Sequence, residues 1–193
     1  YEKSNPYILP GPGGYLDLKE CEFIQEEENI VKVSGSKFVP SKYTIKLEGA
    51  KLIGYRTVSI AGARDPIMIN KIDEIIEGVK EIVKDNFKSN KYDYYLDIKI
   101  YGKNAVMGEL EYNPSTKNCH EIGIIIEAVA NTQEKADTIC AFARSSMLHF
   151  GYEGRKATAG NLAFPYSPSD FHGGEVYNFS VYHLMEINDN DMD

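Results

Sequence analysis

The clearest periodicity in the chain runs from Ile72 to Val83, where Ile72, Ile75, Ile76, Val79, Ile82 and Val83 recur at three- and four-residue spacing. That spacing lines one side of an α-helix, and Asp73, Glu74, Glu77, Lys80, Glu81 and Lys84 fill the other. Asp65 is suited to cap the helix start, and Pro66 to a first turn whose missing N–H costs nothing. This helix is expected to end within Asn86–Asn90. A second stripe, Ala136, Ile139, Cys140, Ala143 and Met147, follows Thr132, which can cap it, and Gly151 stands where a left-handed residue would end it.

Other segments alternate with a period of two. Leu96, Ile98 and Ile100 interleave with Asp97 and Lys99, which predicts a strand with one wet face. Residues 122–130 (IGIIIEAVA) are apolar almost throughout, the pattern of a central strand covered on both faces. A last strand is expected over Val176–Leu184, after a long loop from Gly151 to Gly174. Upstream, strands are expected over Cys21–Gln25 and Asn29–Ser34, around an acidic turn at Glu26–Glu28. Two more follow, over Thr44–Leu47 and Leu52–Ala61, split at Glu48-Gly49 and rich in β-branched and aromatic residues. Residues 1–20 read as an irregular arm, because Asn5-Pro6 and Pro10-Gly11-Pro12-Gly13-Gly14 are turn formers with little periodicity.

From Leu52 the order is strand, helix, strand, strand, helix, strand. That order predicts an α+β fold, a ferredoxin-like split βαβ sandwich with an N-terminal β extension. Right-handed crossovers would put both helices on one face of a mixed or antiparallel sheet. The alternative is an open mixed sheet that absorbs the N-terminal strands. The expected organisation is an arm over 1–20, a single α/β domain over 21–186 and an acidic tail over 187–193.

Composition narrows the class. The chain has 193 residues, 21 basic and 29 acidic, for a net charge of -8. No Lys/Arg cluster offers the concentrated positive charge that nucleic acid demands. No apolar run approaches the roughly 20 residues of a membrane-spanning helix. Three cysteines, Cys21, Cys119 and Cys140, are too scattered for a disulfide framework or a zinc site and suit the reducing cytoplasm. The chain opens at Tyr1 without a Met or signal-like segment, and the arm is expected to lie against a missing upstream part.

Candidate chemistry is sparse. The loop Gly151–Asn161 combines glycines with Arg155 and Lys156, which could neutralise a phosphate or carboxylate, although it lacks P-loop spacing. Tyr101–Glu109 leaves a strand with Lys103 and Glu109 parted by small residues, a cation and an acid or base. Cys119-His120 reads as structural, since adjacent strand residues point to opposite faces. His183 shares a strand face with Tyr177, Phe179 and Val181 and is expected to be a hydrogen-bonded core histidine. No metal site is expected, and His172 finds no carboxylate to complete a triad. Arg56, Arg64 and Asp65 flank the turn at Gly62, where a helix start could hold an anion, but capping by Asp65 competes for those amides.

Three stretches go beyond these arguments: Gly54–Pro66, Tyr101–Glu109, and the run from His120-Glu121-Ile122-Gly123 through Gly154–Asn161 to Ser167–Asp170. In this order they resemble the C-terminal half of the acyclic terpene utilisation protein AtuA family, from about Asn5-Pro6 to Glu186. The resemblance implies a cytoplasmic bacterial protein of acyclic terpene catabolism, whose later intermediates are acyl-CoA thioesters. It also implies a larger N-terminal part and a small companion subunit as partners. It implies no cofactor and leaves the reaction open. Arg56, Lys103, Glu109, Arg155, Lys156 and Asn161 lie in the motif-bearing segments and are the expected substrate-binding residues, lining a groove that faces the missing part. The rival expectation is a non-catalytic interaction or oligomerisation domain, and an exposed sheet edge would favour a homo-oligomer.

Overall fold

The computed structural model describes residues 5–88, 93–112, 119–156 and 161–187. The chain divides into two compact units, residues 1–50 with 179–193, and residues 51–178. Its sheets are antiparallel and its architecture is α+β. Among the described residues, no helix is long and apolar enough to cross a membrane.

The first unit begins with β1 (Ile8–Gly11) and β2 (Gly14–Asp17), a hairpin that pairs onward with β5 (Lys37–Pro40). The expected irregular arm is therefore corrected. Gly11 pairs with Gly14, leaving Pro12-Gly13 as a two-residue turn with Gly13 at φ 70°. Proline followed by a positive-φ glycine is turn chemistry, so these residues join strands instead of preventing them. β3 (Glu22–Glu27) and β4 (Ile30–Ser34) form a separate hairpin with Asn29 at φ 67°.

β6 (Thr44–Ala63) is one continuous strand where two were expected. Gly49 does not turn the chain: a Cβ there would lie 3.3 Å from Val181 Cβ on β9 (Asp170–Glu186). Close strand approach, not a bend, explains this glycine. Ile187 donates to the Tyr43 carbonyl and Ser180 to the Gly49 carbonyl, so β6 and β9 run antiparallel.

The second unit holds the core. β7 (Tyr94–Tyr101) and β6 flank β8 (Ile122–Ala130), and the four-stranded order is β7-β8-β6-β9. Register pairs Ala61 with Ile124 and Ile98 with Ile126. The inward parity of these strands, Ala61, Ala63, Ile98, Ile100, Ile124 and Ile126, meets the stripes of α2 (Ile72–Phe87) and α3 (Gln133–His149) in one cluster. Each fully buried isoleucine contributes roughly 1.5–3 kcal/mol. Gly78 sits within α2 because a Cβ there would meet the Phe150 ring at 2.3 Å.

Several expectations are adjusted here. The first helix is interrupted: α1 (Pro66–Asn70) stops at Lys71, whose backbone leaves the helical range before α2 starts. Asp65 and Thr132 cap as expected, accepting from Ile67 N and Lys135 N. Gly151 does not end α3; Phe150 does, in extended conformation, and the positive φ falls to Gly154. β8 buries one face throughout, while its other face carries the half-buried Ile125 and Glu127 and is buried only at Val129. β9 begins at Asp170, earlier than Val176, and His183 is exposed on it, not in the core. Residues 1–4, 89–90, 157–160 and 188–193, which hold the arm's first residues, the expected helix end, the middle of the glycine-rich loop and most of the tail, lie outside the described residues.

Candidate functional site

The second unit gathers its loops at the end of the sheet where β6 and β7 stop and β8 starts. Gly102 turns the chain out of β7 at φ 92°, a left-handed value that favours glycine. Cys119 Sγ donates to the Gly102 carbonyl at 2.7 Å and ties the approach of β8 to this turn. Residues 119 and 120 precede β8, so strand alternation does not apply to them, and Cys119 and His120 border one cleft together. On the edge of β6, Gly62 and Ala163 exchange both backbone hydrogen bonds at 2.8 Å.

Between these pieces lie two clefts. The first, about 450 Å³, is walled by Ile60, Ala61, Gly62, Ala163, Phe164 and Pro165 and is mostly apolar. Arg64 and Glu121 supply its charges. The second, about 370 Å³, lies against Pro66, Ile69 and Asn70 of α1 with Cys119 and His120. Arg64 borders both clefts. It is exposed and, among the described residues, has no hydrogen-bond or ion-pair partner. Asp65, next to it, is occupied: one oxygen accepts from Ile67 N at 3.0 Å, the other from the Tyr152 hydroxyl at 3.2 Å. A guanidinium without a counter-ion, beside an apolar hollow, can take the anionic head of an amphipathic ligand.

The residues singled out in the sequence fall as follows. Lys103 pairs with Asp73 at the start of α2. Glu109 is exposed in the 3₁₀ turn Gly108–Leu110. Arg155 donates to the Leu148 carbonyl at 3.0 Å, satisfying the last turn of α3. The Lys156 carbonyl accepts from Asn161 Nδ2; Asn161 is 7% exposed and its Oδ1 is buried without a partner among the described residues. These belong to the loops at the sheet end that holds the clefts, but neither cleft is lined by them. Arg56 lies apart, on the sheet face turned away from the helices. There it binds Glu127 at 2.5 Å, and Glu127 also accepts from Lys99 at 2.5 Å, with Asp97 3.1 Å beyond. Burial pushes the Glu127 carboxyl up, but the bonds from Lys99 and Arg56 outweigh it and hold the group below the usual carboxylate range.

A second polar constellation spans α3, β6 and β9. Thr57 and Ser59 occupy inward positions of β6 and are fully buried. The Thr57 hydroxyl donates to Asp137 at 2.5 Å and accepts from Gln133 at 2.7 Å. Asp137 also contacts His172 Nε2 at 3.1 Å, and Arg144 pairs with Asp170 at 2.9 Å. Burial raises the Asp137 carboxyl, while hydrogen bonds from Thr57, Gln133 and His172 bring it below its ordinary value. The buried Cys140 thiol beside them is pushed up to about 12 by desolvation, with the Asp170 charge adding to it. His172 therefore does have a carboxylate partner, which the sequence reading did not supply. The available signal was the parity of β6: two hydroxyls at core-facing positions require polar partners, which Thr57 finds on α3 and Ser59 at the Ser169 carbonyl.

These features define a class: an α+β protein with antiparallel sheets and, at one sheet end, an exposed guanidinium, unpaired among the described residues, that borders two clefts. Residues 1–168 match the model of the acyclic terpene utilisation family protein AtuA, and the chain belongs to that family. The family's name points to acyclic terpene utilisation. No curated protein and no solved structure matches the chain.

Proposed function

We propose that this AtuA-family protein serves acyclic terpene utilisation by holding an acyclic isoprenoid acid or its acyl thioester at the Arg64 clefts. The branched hydrocarbon chain fills the apolar cleft, where each buried methylene contributes about 0.8 kcal/mol. The anionic head lies against Arg64, and Arg155 and Lys156 add positive field at the same sheet end. The scaffold is a ferredoxin-like split βαβ sandwich, a reading supported by the strand order β7-β8-β6-β9 with a helix inside each crossover. The observation that carries the functional reading is the exposed Arg64, unpartnered among the described residues, bordering both clefts.

The test is calorimetric titration of an acyclic isoprenoid carboxylate, its alcohol and a straight-chain acid of equal carbon count. The carboxylate binds tightest, and Arg64→Ala weakens it by about tenfold or more while leaving thermal stability unchanged, since a charge-assisted hydrogen bond is worth about 1.5–3 kcal/mol. Equal affinity in wild type and Arg64→Ala, or no binding of any of the three, sinks the proposal.

A second reading, an assembly domain, is favoured by the first unit, where Phe23, Ile24, Val31, Val33, Phe179 and Leu184 are 49–72% exposed.

A further inference from the structure

The first unit contains a ribbon with an open edge. Residues 44–50 of β6 and 179–186 of β9 run antiparallel, and among the described residues β9 has β6 on one side and no strand on the other. Over this stretch β6 and β9 have only each other among the described residues, and a two-stranded ribbon is marginal in water without a third strand or a packing partner. This one is apolar where it is bare: Phe179, Val181, Tyr182, Leu184 and Met185 are 40–72% exposed.

Its charges are distributed unevenly. Lys42, Lys46 and Glu48 belong to β6 or the approach to it, and each has a partner: Lys42 binds Glu186 and Lys46 binds Glu48. Lys46 also lies 4.9 Å from the Tyr182 ring centre. Phe179–Met185 (FSVYHLM) holds no Lys, Arg, Asp, Glu or Pro, the residues with which natural edge strands block further pairing.

We propose that β9 is a dimerisation edge whose occupant is the β9 of a second copy of this chain, giving a continuous antiparallel sheet β6-β9-β9′-β6′. A two-fold axis makes two identical antiparallel edges mutually complementary. The missing charge argues for self-pairing in particular. An antiparallel register centred within 179–185 sets Phe, Val, Tyr and Leu side chains across from one another, and no like charges meet in it. The direction of the free hydrogen bonds follows from the ladder. Ile187 donates to Tyr43, so odd-numbered residues of this stretch face β6 and Ser180, Tyr182 and Leu184 direct their N–H groups to the open edge.

That parity supplies the test. Leu184→Pro removes an open-edge donor without touching the β6 ladder, and Leu184→Lys adds a charge that both copies must bury. Leu184 is 60% exposed, so Leu184→Lys leaves the fold of the single chain intact even where a proline does not. Sedimentation velocity of the full chain across a concentration series should show a dimer for wild type and a monomer for both variants, with unchanged far-ultraviolet circular dichroism. A wild type that stays monomeric at about 100 μM, where even a weak dimer forms, overturns the proposal and leaves the edge to a different protein or another segment of the same polypeptide. A dimer that survives both substitutions also overturns it, because the association then uses another surface.

Discussion

Replacing Thr57 with Val tests what holds β9 and α3 to the sheet of the second unit. The substitution keeps the side chain's shape but removes the hydroxyl that donates to Asp137 at 2.5 Å and accepts from Gln133 at 2.7 Å. A hydrogen bond to a charged group is worth about 1.5–3 kcal/mol and a neutral one about 0.5–1.5 kcal/mol. Two circumstances lower the sum. Gln133 and Asp137 remain bonded to each other at 3.0 Å, and the Asp137 side chain is 41% exposed, so water can reach its vacated lone pair. The expected loss is therefore about 1–2 kcal/mol. Thr57→Ser keeps the hydroxyl and loses about 1 kcal/mol by another route, a buried methyl group. Urea unfolding at neutral pH gives both values, and an acid series separates them. The folded Asp137 carboxyl is depressed, so its contribution is present above the unfolded value and is lost as pH falls through the folded one. Thr57→Val removes one of the bonds that depress it, so the folded value moves back toward the unfolded one and the acid-dependent loss of stability is smaller than in wild type; in Thr57→Ser that loss matches wild type. A Thr57→Val protein as stable as wild type, or with the same acid-dependent loss of stability, would refute this account of the network.

Three further outcomes are expected. Glu127→Gln leaves Arg56 and Lys99 without their shared anion and costs about 1–3 kcal/mol at neutral pH; because the folded Glu127 carboxyl is depressed, denaturation curves of variant and wild type should converge as pH falls through it. Gly54→Ala would put a Cβ 2.3 Å from the Ala130 carbonyl oxygen, which only strand displacement relieves, and unfolding should show a loss of about 2 kcal/mol or more. Iodoacetamide should alkylate the exposed Cys119 in the native protein and spare Cys140, whose buried thiol is pushed up to about 12; peptide mass spectrometry that finds Cys140 modified before unfolding would contradict its placement.

The elements most visible in the sequence were those whose signals are local. The stripe of α2, the caps Asp65 and Thr132 and the extent of β8 each follow from residues within a turn or two. Glycines and prolines were harder, because the same residues that break a strand also form the turn of a hairpin or admit a neighbouring strand. Gly13 and Gly49 show the two cases. The site was least legible because a charged side chain's role depends on a partner distant in sequence. Lys103 is neutralised by Asp73, Arg56 by Glu127 and His172 is held by Asp137, separations of 30, 71 and 35 residues. Capping by Asp65 argues in the sequence against an anion at the helix start, yet that carboxylate is taken up by Ile67 and Tyr152, which leaves the Arg64 guanidinium available among the described residues. Only tertiary structure tells a paired cation from a free one.

The double hydrogen bond between Gly62 and Ala163 bears on how fast a ligand can come and go. Ala163 and its neighbours form one wall of the apolar cleft, and that wall is clamped to the sheet edge by two backbone bonds of 2.8 Å. A wall held in this way stands in place before any ligand arrives, so little loop ordering remains for the binding step. Association should then be a single bimolecular phase whose rate rises linearly with ligand concentration, without the plateau of a gated site. Differences in affinity among chain lengths of the proposed ligand would then reside in the dissociation rate and show as differences in residence time.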